Sequence, residues 1–358
     1  MKDSNNPKTN YSFFAAANSY DGFVSYFDQV FNPREFTKIF VLKGGPGTGK
    51  STLMKKIAKY AEDKNYHYEV IWCSSDVNSL DGIIIYSNGK KIAVLDGTAP
   101  HERDAILPGA VDELINLGEA WRENCLQEKR AAITDLNAKK ARYYTNAYNN
   151  MHYSSIFGRK IKAEIGSIID VKKADQEATK LVRDVYTEGI SRRGIRLISS
   201  FSKDGYRTLN TLEDIADKVI YVSGKYGSAE IFLNLLRANL QKTDTDYTIF
   251  PSPLDKNSIE AIYIEKTKTA IIARDTENAD ICTLELLDKN ALEAMKDDLI
   301  DYGKIKDFFL NKAKDALGRA SNMHFELEAI YTPCMDFLLL GEYADIITDK
   351  CNKVFQGD

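Results

Sequence analysis

The most informative chemistry of this chain lies in a glycine-rich segment near its N-terminus. Residues 40–53 read FVLKGGPGTGKSTL and contain the pattern Gly44-x4-Gly49-Lys50-Ser51. Glycine at these positions lets the main chain fold round a polyanion and turn its N–H groups inward. An ammonium and a hydroxyl directly after the glycines suit a phosphate chain and its Mg²⁺ ion. Residues 44–49, named the glycine loop below, are therefore predicted to bind phosphate.

The segments on either side of the glycine loop have the patterns that this chemistry requires. Residues 38–42, KIFVL, form a short apolar run typical of a buried strand, and residues 51–64 carry apolar side chains at helical spacing. The positive end of the helix dipole would attract phosphate. We expect Lys50 to reach the β and γ phosphates and Ser51 to hold Mg²⁺. The predicted nucleotide-binding residues are Gly44, Gly45, Pro46, Gly47, Thr48, Gly49, Lys50, Ser51 and Thr52.

A second Mg²⁺ ligand is expected at the end of a neighbouring strand. Residues 92–96, IAVLD, are a buried-strand pattern that ends in Asp96. Ligands of open α/β sheets bind at the carboxyl ends of strands, where Asp96 would project. The Asn88-Gly89 pair before this strand predicts a hairpin with the strand that precedes it. Asp96 is thus predicted to be catalytic and to bind metal together with Ser51.

The group that orients the attacking atom is not fixed by the sequence. In many ATPases an acidic residue directly follows the metal-binding Asp, but here that residue is Gly97. The candidates are Asp76 and Asp81, on the loops after the strand at 67–73, and His101 and Glu102 after Asp96. Loop aspartates also serve as turn and cap residues, so both roles stay open. The chain has no Asn-Lys-x-Asp segment of the kind that reads guanine, so ATP is the predicted nucleotide.

The chain also resembles itself, as an internal duplication would. Four pairs of segments match in the same order, at offsets that fall slowly from 180 to 172: 39–53 with 219–233, 78–81 with 257–260, 92–96 with 271–275, and 150–153 with 322–325. Aligned without a gap, the second copy places Glu230 at the position of Lys50, Ile231 at that of Ser51 and Ala229 at that of Gly49. A carboxylate there would repel phosphate. We therefore predict one working nucleotide site per chain.

Long helical patterns follow each predicted nucleotide-binding segment. One helix is expected from about 112 to 151, ended by Phe157-Gly158, and a second from about 159 to 186; a similar pair is expected at about 284–330 and 334–354. The predicted fold class is an α/β, P-loop NTPase-type sheet with flanking helices, duplicated in tandem, each copy with a long helical hairpin. The predicted domains are 1–190, active, with its hairpin at about 112–188, and 191–358, degenerate. The hairpins could be lids, partner-binding arms or bridges.

Composition argues against several classes of function. Lys and Arg number 48 and Asp and Glu 52, so the net charge of −4 argues against a bulk nucleic-acid binder or a polybasic membrane protein. The five cysteines are scattered, so neither a disulfide framework nor a zinc site is expected. The polar first ten residues lack a signal peptide pattern, and no apolar run approaches the roughly 20 residues of a membrane span. A cytoplasmic location is predicted.

Three quoted segments together carry a family resemblance: FVLKGGPGTGKSTLMKKI, CSSDVNSLDG and AVLDGTAPH. With them the chain resembles a bacterial family of duplicated P-loop proteins that are described only as predicted ATPases or NTPases. The resemblance covers nearly the whole chain and is strongest over 40–118. It implies ATP binding at Gly44 to Thr52 and marks the segments with Asp76, Asp81, Asp96 and His101 as signature loops. Many members look intact in both loops, whereas this chain departs at Glu230 and Ile231.

Three functions fit these residues. The first is a Mg²⁺-dependent ATPase that couples hydrolysis to a conformational change of the helical arm or of the second copy. The second is a small-molecule or nucleotide kinase, because phosphoryl transfer uses the same loop, Mg²⁺ and Asp. The third is an interaction protein in which bound ATP orders the helical arm for a protein partner, without turnover. The acceptor, the client and the oligomeric state are not encoded in any recognisable pattern.

Overall fold

The computed structural model describes residues 10–76 and 78–356. The N-terminal segment in which no signal peptide pattern was found lies, except for Asn10, outside the described residues. The chain forms two compact units, each described here by itself. Of the described residues, the first unit holds 10–16, 25–144 and 317–356, and the second unit holds 17–24 and 145–316. The predicted domains instead followed one another along the chain, with their boundary at 190.

The first unit is built on a mixed six-stranded sheet. Its order is β1-β5-β6-β7-β4-β8, where β1 is Tyr11–Phe14, β4 Lys38–Lys43, β5 His67–Trp72, β6 Leu80–Ser87, β7 Lys90–Asp96 and β8 Asp112–Asn116. The apolar strand β4 lies between β7 and β8 and is parallel to both, which explains its uninterrupted buried run. The β6–β7 hairpin turns at Asn88 and Gly89, both with positive φ, as predicted.

The second unit repeats this sheet strand for strand. Its order is β9-β13-β14-β15-β12-β16, where β9 is Arg193–Ile195, β12 Lys218–Ser223, β13 Tyr247–Pro251, β14 Ile259–Ile264, β15 Thr269–Ala273 and β16 Ile281–Cys282. Corresponding neighbours are parallel or antiparallel in the same pattern. Two short hairpins also correspond: β2 (Ala16–Ser19) with β3 (Gly22–Ser25), and β10 (Ser199–Ser202) with β11 (Gly205–Thr208). The architecture is α/β and compatible with a duplicated fold.

Ten α-helices lie in the described ranges. They are α1 Phe27–Val30, α2 Lys50–Asp63, α3 Glu123–Gln127, α4 Arg130–Ile168, α5 Val171–Val185, α6 Thr211–Ile215, α7 Ser228–Leu240, α8 Lys289–Ala294, α9 Lys296–Tyr331 and α10 Phe337–Gln356. Short 3₁₀ turns occupy Pro33–Glu35, Leu117–Ala120, Thr283–Leu286 and Thr332–Cys334. No helix among the described residues is both long enough and apolar enough to cross a bilayer.

Each sheet packs against a helix that belongs to the other half of the chain. The core of the first unit joins Leu53, Met54 and Ile57 of α2 to Leu340 and Ile347 of the C-terminal helix α10. The core of the second unit joins α7 to α5, which precedes the second sheet in the chain. Each sheet is therefore covered by its own loop-following helix and by a helix from the far end of the other repeat.

Two predictions about the helical region are wrong. Residues 112–116 form β8, a strand at the edge of the sheet, and the long helix begins only at Arg130. Its predicted end at Phe157-Gly158 does not occur either, since α4 continues to Ile168. One glycine inside a helix costs only about 1 kcal/mol, which tertiary packing easily outweighs. The helices predicted at 159–186 and 284–330 end close to the ends of α5 and α9, but α5 begins only at Val171 and α9 only at Lys296. The helix predicted at 334–354 agrees with α10 within a few residues.

The expectation for the cysteines is also corrected. Cys125 and Cys334 form a disulfide, with their Cα atoms 5.8 Å apart and a sequence separation of 209. The pairing is invisible in the sequence because only the fold brings α3 next to the turn that follows α9. The main-chain N–H of Arg122 donates to the Cys334 carbonyl oxygen in the same place, at 2.8 Å. The remaining thiols are those of Cys73, Cys282 and Cys351.

Candidate functional site

The glycine loop connects the carboxyl end of β4 to the first turn of α2. Gly47 and Gly49 have φ values of +68° and +78°, a conformation that strains any residue with a Cβ. A Cβ on Gly44 would lie 2.8 Å from the Thr48 hydroxyl, which donates to the Gly45 carbonyl oxygen. The glycines are thus required by the local path of the main chain, which is curled over the start of the helix.

Lys50 is the first residue of α2, and its side chain folds back over the glycine loop. Its ammonium donates to the carbonyl oxygens of Gly44 and Gly45 at 2.6 and 2.9 Å. It also lies 3.6 Å from a carboxylate oxygen of Asp96, and both side chains are only 13% exposed. A nearly buried cation is therefore held at the mouth of the loop by two main-chain dipoles and one carboxylate.

Asp96 is the last residue of β7, where the sequence predicts a carboxylate at the edge of the sheet. It pairs with Leu42 of β4 in parallel register, which brings it beside the glycine loop. The Thr98 amide and hydroxyl donate to its Oδ1 at 2.9 and 2.5 Å. Burial raises the pKa of Asp96 above its usual value, against the opposing attraction of Lys50.

Asp81, Asp96 and His101 come together as one buried cluster. One oxygen or nitrogen atom from each lies within 4.8 Å of the others, and all three residues are less than a tenth exposed. His101 Nε2 is 3.4 Å from Asp81 Oδ2, and its ring stacks on Phe27 at 4.4 Å between centroids. Burial opposes protonation of His101, but the two carboxylates outweigh it and raise its pKa.

These groups form a donor set that could hold a divalent cation. Carboxylate oxygens suit Mg²⁺, and an imidazole nitrogen also suits transition metals. Ser51 lies beside the cluster, because its Oγ accepts a hydrogen bond from the main-chain N–H of Leu80 at 3.0 Å. A hydroxyl that accepts one such bond still has a lone pair for a metal. The chemistry available here is therefore metal and anion binding next to a His–Asp pair.

The other predicted site residues are placed differently. Asp76 accepts the Asn78 amide at 3.1 Å in its own turn, and Asp255 accepts the Asn257 amide in the same way in the second unit. A turn that both repeats build is explained by loop structure, and Asp76 is not part of the buried cluster. Pro46 lies within the glycine loop, and the Thr52 side chain is exposed on α2.

The structure adds groups that no pattern in the sequence indicates. Arg103 and Asp112 form a buried ion pair at 3.4 Å, and Asp112 also accepts the amides of Ile106 and Leu107, so this pair anchors the loop that carries His101. On its other side the glycine loop contacts the C-terminal part of the chain at Glu328 and Thr332. A buried pair nine residues apart and a contact across the whole chain leave no pattern in the sequence.

The contacts of the second unit correct the alignment of the two loops. Lys55 of α2 donates to the carbonyl oxygen of Asn78, and Asn234 of α7 donates to that of Asn257. Lys55 and Asn234 are therefore equivalent, which makes Ala229 the counterpart of Lys50 and Glu230 that of Ser51. The second loop is one residue shorter, and the gap-free alignment with Glu230 at the position of Lys50 is wrong. The second unit still lacks the ammonium.

Comparisons of this chain with protein-family models, with curated proteins and with solved structures found no match. The resemblance to duplicated P-loop proteins stays a prediction from the quoted segments, and the geometry of the site is what a function must explain.

Proposed function

We propose that this chain is a Mg²⁺-dependent ATPase with one nucleotide site, located in the first unit. The observation that supports it best is the position of the Lys50 ammonium, held by the carbonyls of a glycine-rich turn at a helix start and 3.6 Å from the buried Asp96. A cation, inward-turned main-chain N–H groups and a metal-binding carboxylate are the combination that phosphoryl transfer needs.

The residues present fit a triphosphate. The close approach of Thr48 to the Cβ position of Gly44, and the positive φ of Gly47 and Gly49, leave only main chain on the curled surface of the loop. Main chain without side chains can approach phosphate oxygens closely. Lys50 has no anionic ligand other than Asp96 within hydrogen-bonding reach in the described residues, so its charge is available to a phosphate.

Each group then has a role that follows from its position. Lys50 would exchange the loop carbonyls for phosphate oxygens, and α2 would add its positive end. Ser51 and Asp96 are the residues that would hold Mg²⁺, which when bound neutralises charge on the phosphates. His101, fixed by Asp81 and by stacking on Phe27, would orient the attacking water. Asp76 has no such role, because it closes its own turn.

Binding is tested by replacing Lys50. Lys50→Ala should weaken Mg·ATP binding at least about 100-fold, because the main cation of the loop is lost. Lys56→Ala, an exposed lysine on the same helix, is the matched control and should bind as the wild type does. Isothermal titration calorimetry measures both affinities and the number of sites. Equal affinities for wild type and Lys50→Ala would refute the proposal, as would two Mg·ATP per chain.

Turnover is tested separately from binding. Phosphate release without an added acceptor supports an ATPase. Release or transfer only in the presence of one member of a nucleoside or sugar panel would replace it with a kinase. Tight binding of Mg·ATP without any phosphate release would indicate a nucleotide-gated interaction protein.

A further inference from the structure

The glycine loop is covered by the segment where α9 ends and α10 begins, residues 328–340, named the cover segment. Thr332 Oγ1 lies 2.9 Å, and the Glu328 carbonyl oxygen 3.2 Å, from where a Cβ on Gly47 would be. The side chain of Leu340 packs directly on Gly49. The loop is therefore in van der Waals contact with the cover segment at Gly47 and Gly49.

The cover segment places a negative charge on the loop. The carboxylate of Glu328 lies near the main-chain N–H of Gly47 and in the field of Lys50. His324, one turn earlier on α9, is 3.5 Å from Glu328 Oε1. The histidine, and to a smaller extent the Gly47 amide and Lys50, lower the pKa of Glu328 despite its partial burial. Glu328 is thus an anion next to a main-chain segment that is predicted to bind phosphate.

The second unit contains the same junction with the charges reversed. There Asp288 N–H donates to the Ile168 carbonyl oxygen, as Arg122 N–H does to that of Cys334 in the first unit. Lys162 of α4 precedes Ile168 by as many residues as Glu328 precedes Cys334, and it is therefore the counterpart of Glu328. Lys162 donates to the Ser258 hydroxyl at 2.7 Å and attracts the carboxylate of Glu230 in the first turn of α7.

In both units, therefore, the covering helix carries a charge opposite to that of a side chain in the first turn of the helix that follows the loop. Lys162 faces Glu230 of α7, and Glu328 faces the glycine loop and Lys50 of α2. Such complementarity at equivalent positions suits an internal plug, because opposite charges at the contact stabilise each other.

We propose that Glu328 is an intramolecular competitor for the phosphate site, so that a triphosphate binds only when it displaces Glu328 and the cover segment from the glycine loop. This inference rests on the proposed function. Phosphate and carboxylate compete for the same Gly47 N–H and for the same cation. The energy of nucleotide binding is then coupled to movement of the corner between α9 and α10.

The first test compares the affinities of two variants for Mg·ATP and for inorganic triphosphate, by calorimetry. Glu328→Gln removes the charge but keeps the shape, and should tighten the binding of both probes about tenfold, because the competing state loses its charge-assisted bonds. Glu326→Gln, an exposed position on the same helix, should leave both affinities unchanged. Unchanged or weaker binding by Glu328→Gln, with a wild type that binds, overturns the inference and leaves the proposed function standing.

The second test follows the cover segment directly. Trp121 lies 3.3 Å from the Cβ position of Gly45 and 5.9 Å, between ring centroids, from Tyr331 of the cover segment. In a Trp72→Phe background it is the sole tryptophan. Its emission should change when Mg·ATP binds, and Glu328→Gln should shift the nucleotide-free spectrum in the same direction. A spectrum that neither change moves overturns the inference. If neither the wild type nor Glu328→Gln binds any probe, the proposed function fails with it.

Discussion

The two units build the same junction between helix and sheet but secure it differently. In the second unit the main-chain bonds from Asp170 to Leu286 and from Asp288 to Ile168 close the junction, and in the first unit the equivalent bonds run from Asp336 to Ala120 and from Arg122 to Cys334. Only the first unit adds a covalent bond there, between Cys125 and Cys334. The repeated geometry comes from main-chain hydrogen bonding, and the differences lie in the side chains placed on it.

The loops of the two units also share a main-chain feature and differ in their side chains. Both have residues with positive φ before a helix, but the first loop carries Lys50 and the second has Ala229 there and Glu230 next to it. The connections after β7 and after β15 also differ. Residues 97–111, after β7, include His101 and Arg103, whereas residues 274–280, after β15, form a shorter connection. Asp275 lies beyond the end of β15 and is exposed. A fold that keeps its loop without the cation shows that the loop has a structural role of its own.

The largest expected effect is a difference in turnover between variants of Asp96 and of Asp275, its counterpart in the second unit. Asp96→Asn should lower phosphate release at least about 100-fold, because the buried carboxylate beside Lys50 is lost. The same change at Asp275 should leave turnover at the wild-type value. Steady-state phosphate release at saturating Mg·ATP measures both. Equal rates for the two variants would mean that the asymmetry between the units is not catalytic.

The next effect concerns the loop that only the first unit has. Asp112→Ala leaves the Arg103 guanidinium buried without its carboxylate and should cost about 3–5 kcal/mol in the free energy of unfolding. Asp217→Ala breaks the exposed pair with Lys268 in the second unit and should cost less than about 1 kcal/mol. Urea denaturation compares them. A loss below 1 kcal/mol at Asp112 would contradict the anchoring role of this pair.

The disulfide offers a third contrast between the junctions. Cys334→Ser should reduce the stability by about 2–4 kcal/mol, because the unfolded chain regains the freedom of a long closed loop. Cys282→Ser, at an exposed thiol of the second unit, removes no covalent bond and serves as the reference. Thiol titration of the denatured, unreduced protein should find three thiols, those of Cys73, Cys282 and Cys351. Five thiols would show that Cys125 and Cys334 are not paired.

The smallest effect is a pH dependence of stability that arises from Glu260 in the second unit. Burial raises the pKa of Glu260, the counterpart of Asp81, from 4.5 to about 7, although Tyr206 and Ser199 donate to it. The folded state therefore binds a proton more tightly than the unfolded state. Its contribution to stability is complete below about pH 4.5 and is lost as the pH rises through about 7.

Glu260→Gln should remove this dependence. The wild type should lose about 2 kcal/mol relative to the variant between pH 4.5 and 8, a value reduced for partial solvent access. Chemical denaturation of both proteins across this range measures the difference. Parallel stability curves would show that Glu260 stays ionised in the fold.

Short-range features of the site were predictable. The strand, the glycine loop and the helix at 38–63 follow from residues that are neighbours in the chain, and Asp96 follows from one apolar run that ends in a charge. The β8 strand was mistaken for the start of a helix, because its two apolar residues, Leu114 and Ile115, are neighbours and show no strand period, and pairing with β4 decides the structure. The one-residue gap between the loops also escaped detection, since side-chain contacts and not letters fix the register.

The sequence by itself determined the conformation of the glycine loop and the repeat, because glycine positions and apolar periodicity act over a few residues. Only the tertiary structure decided which distant groups meet there. It brought Asp81 and His101 to Asp96, paired Cys125 with Cys334, and set Glu328 on Gly47. Such contacts depend on how strands order themselves in a sheet and on which helix covers it, and these choices are made by packing of the whole chain.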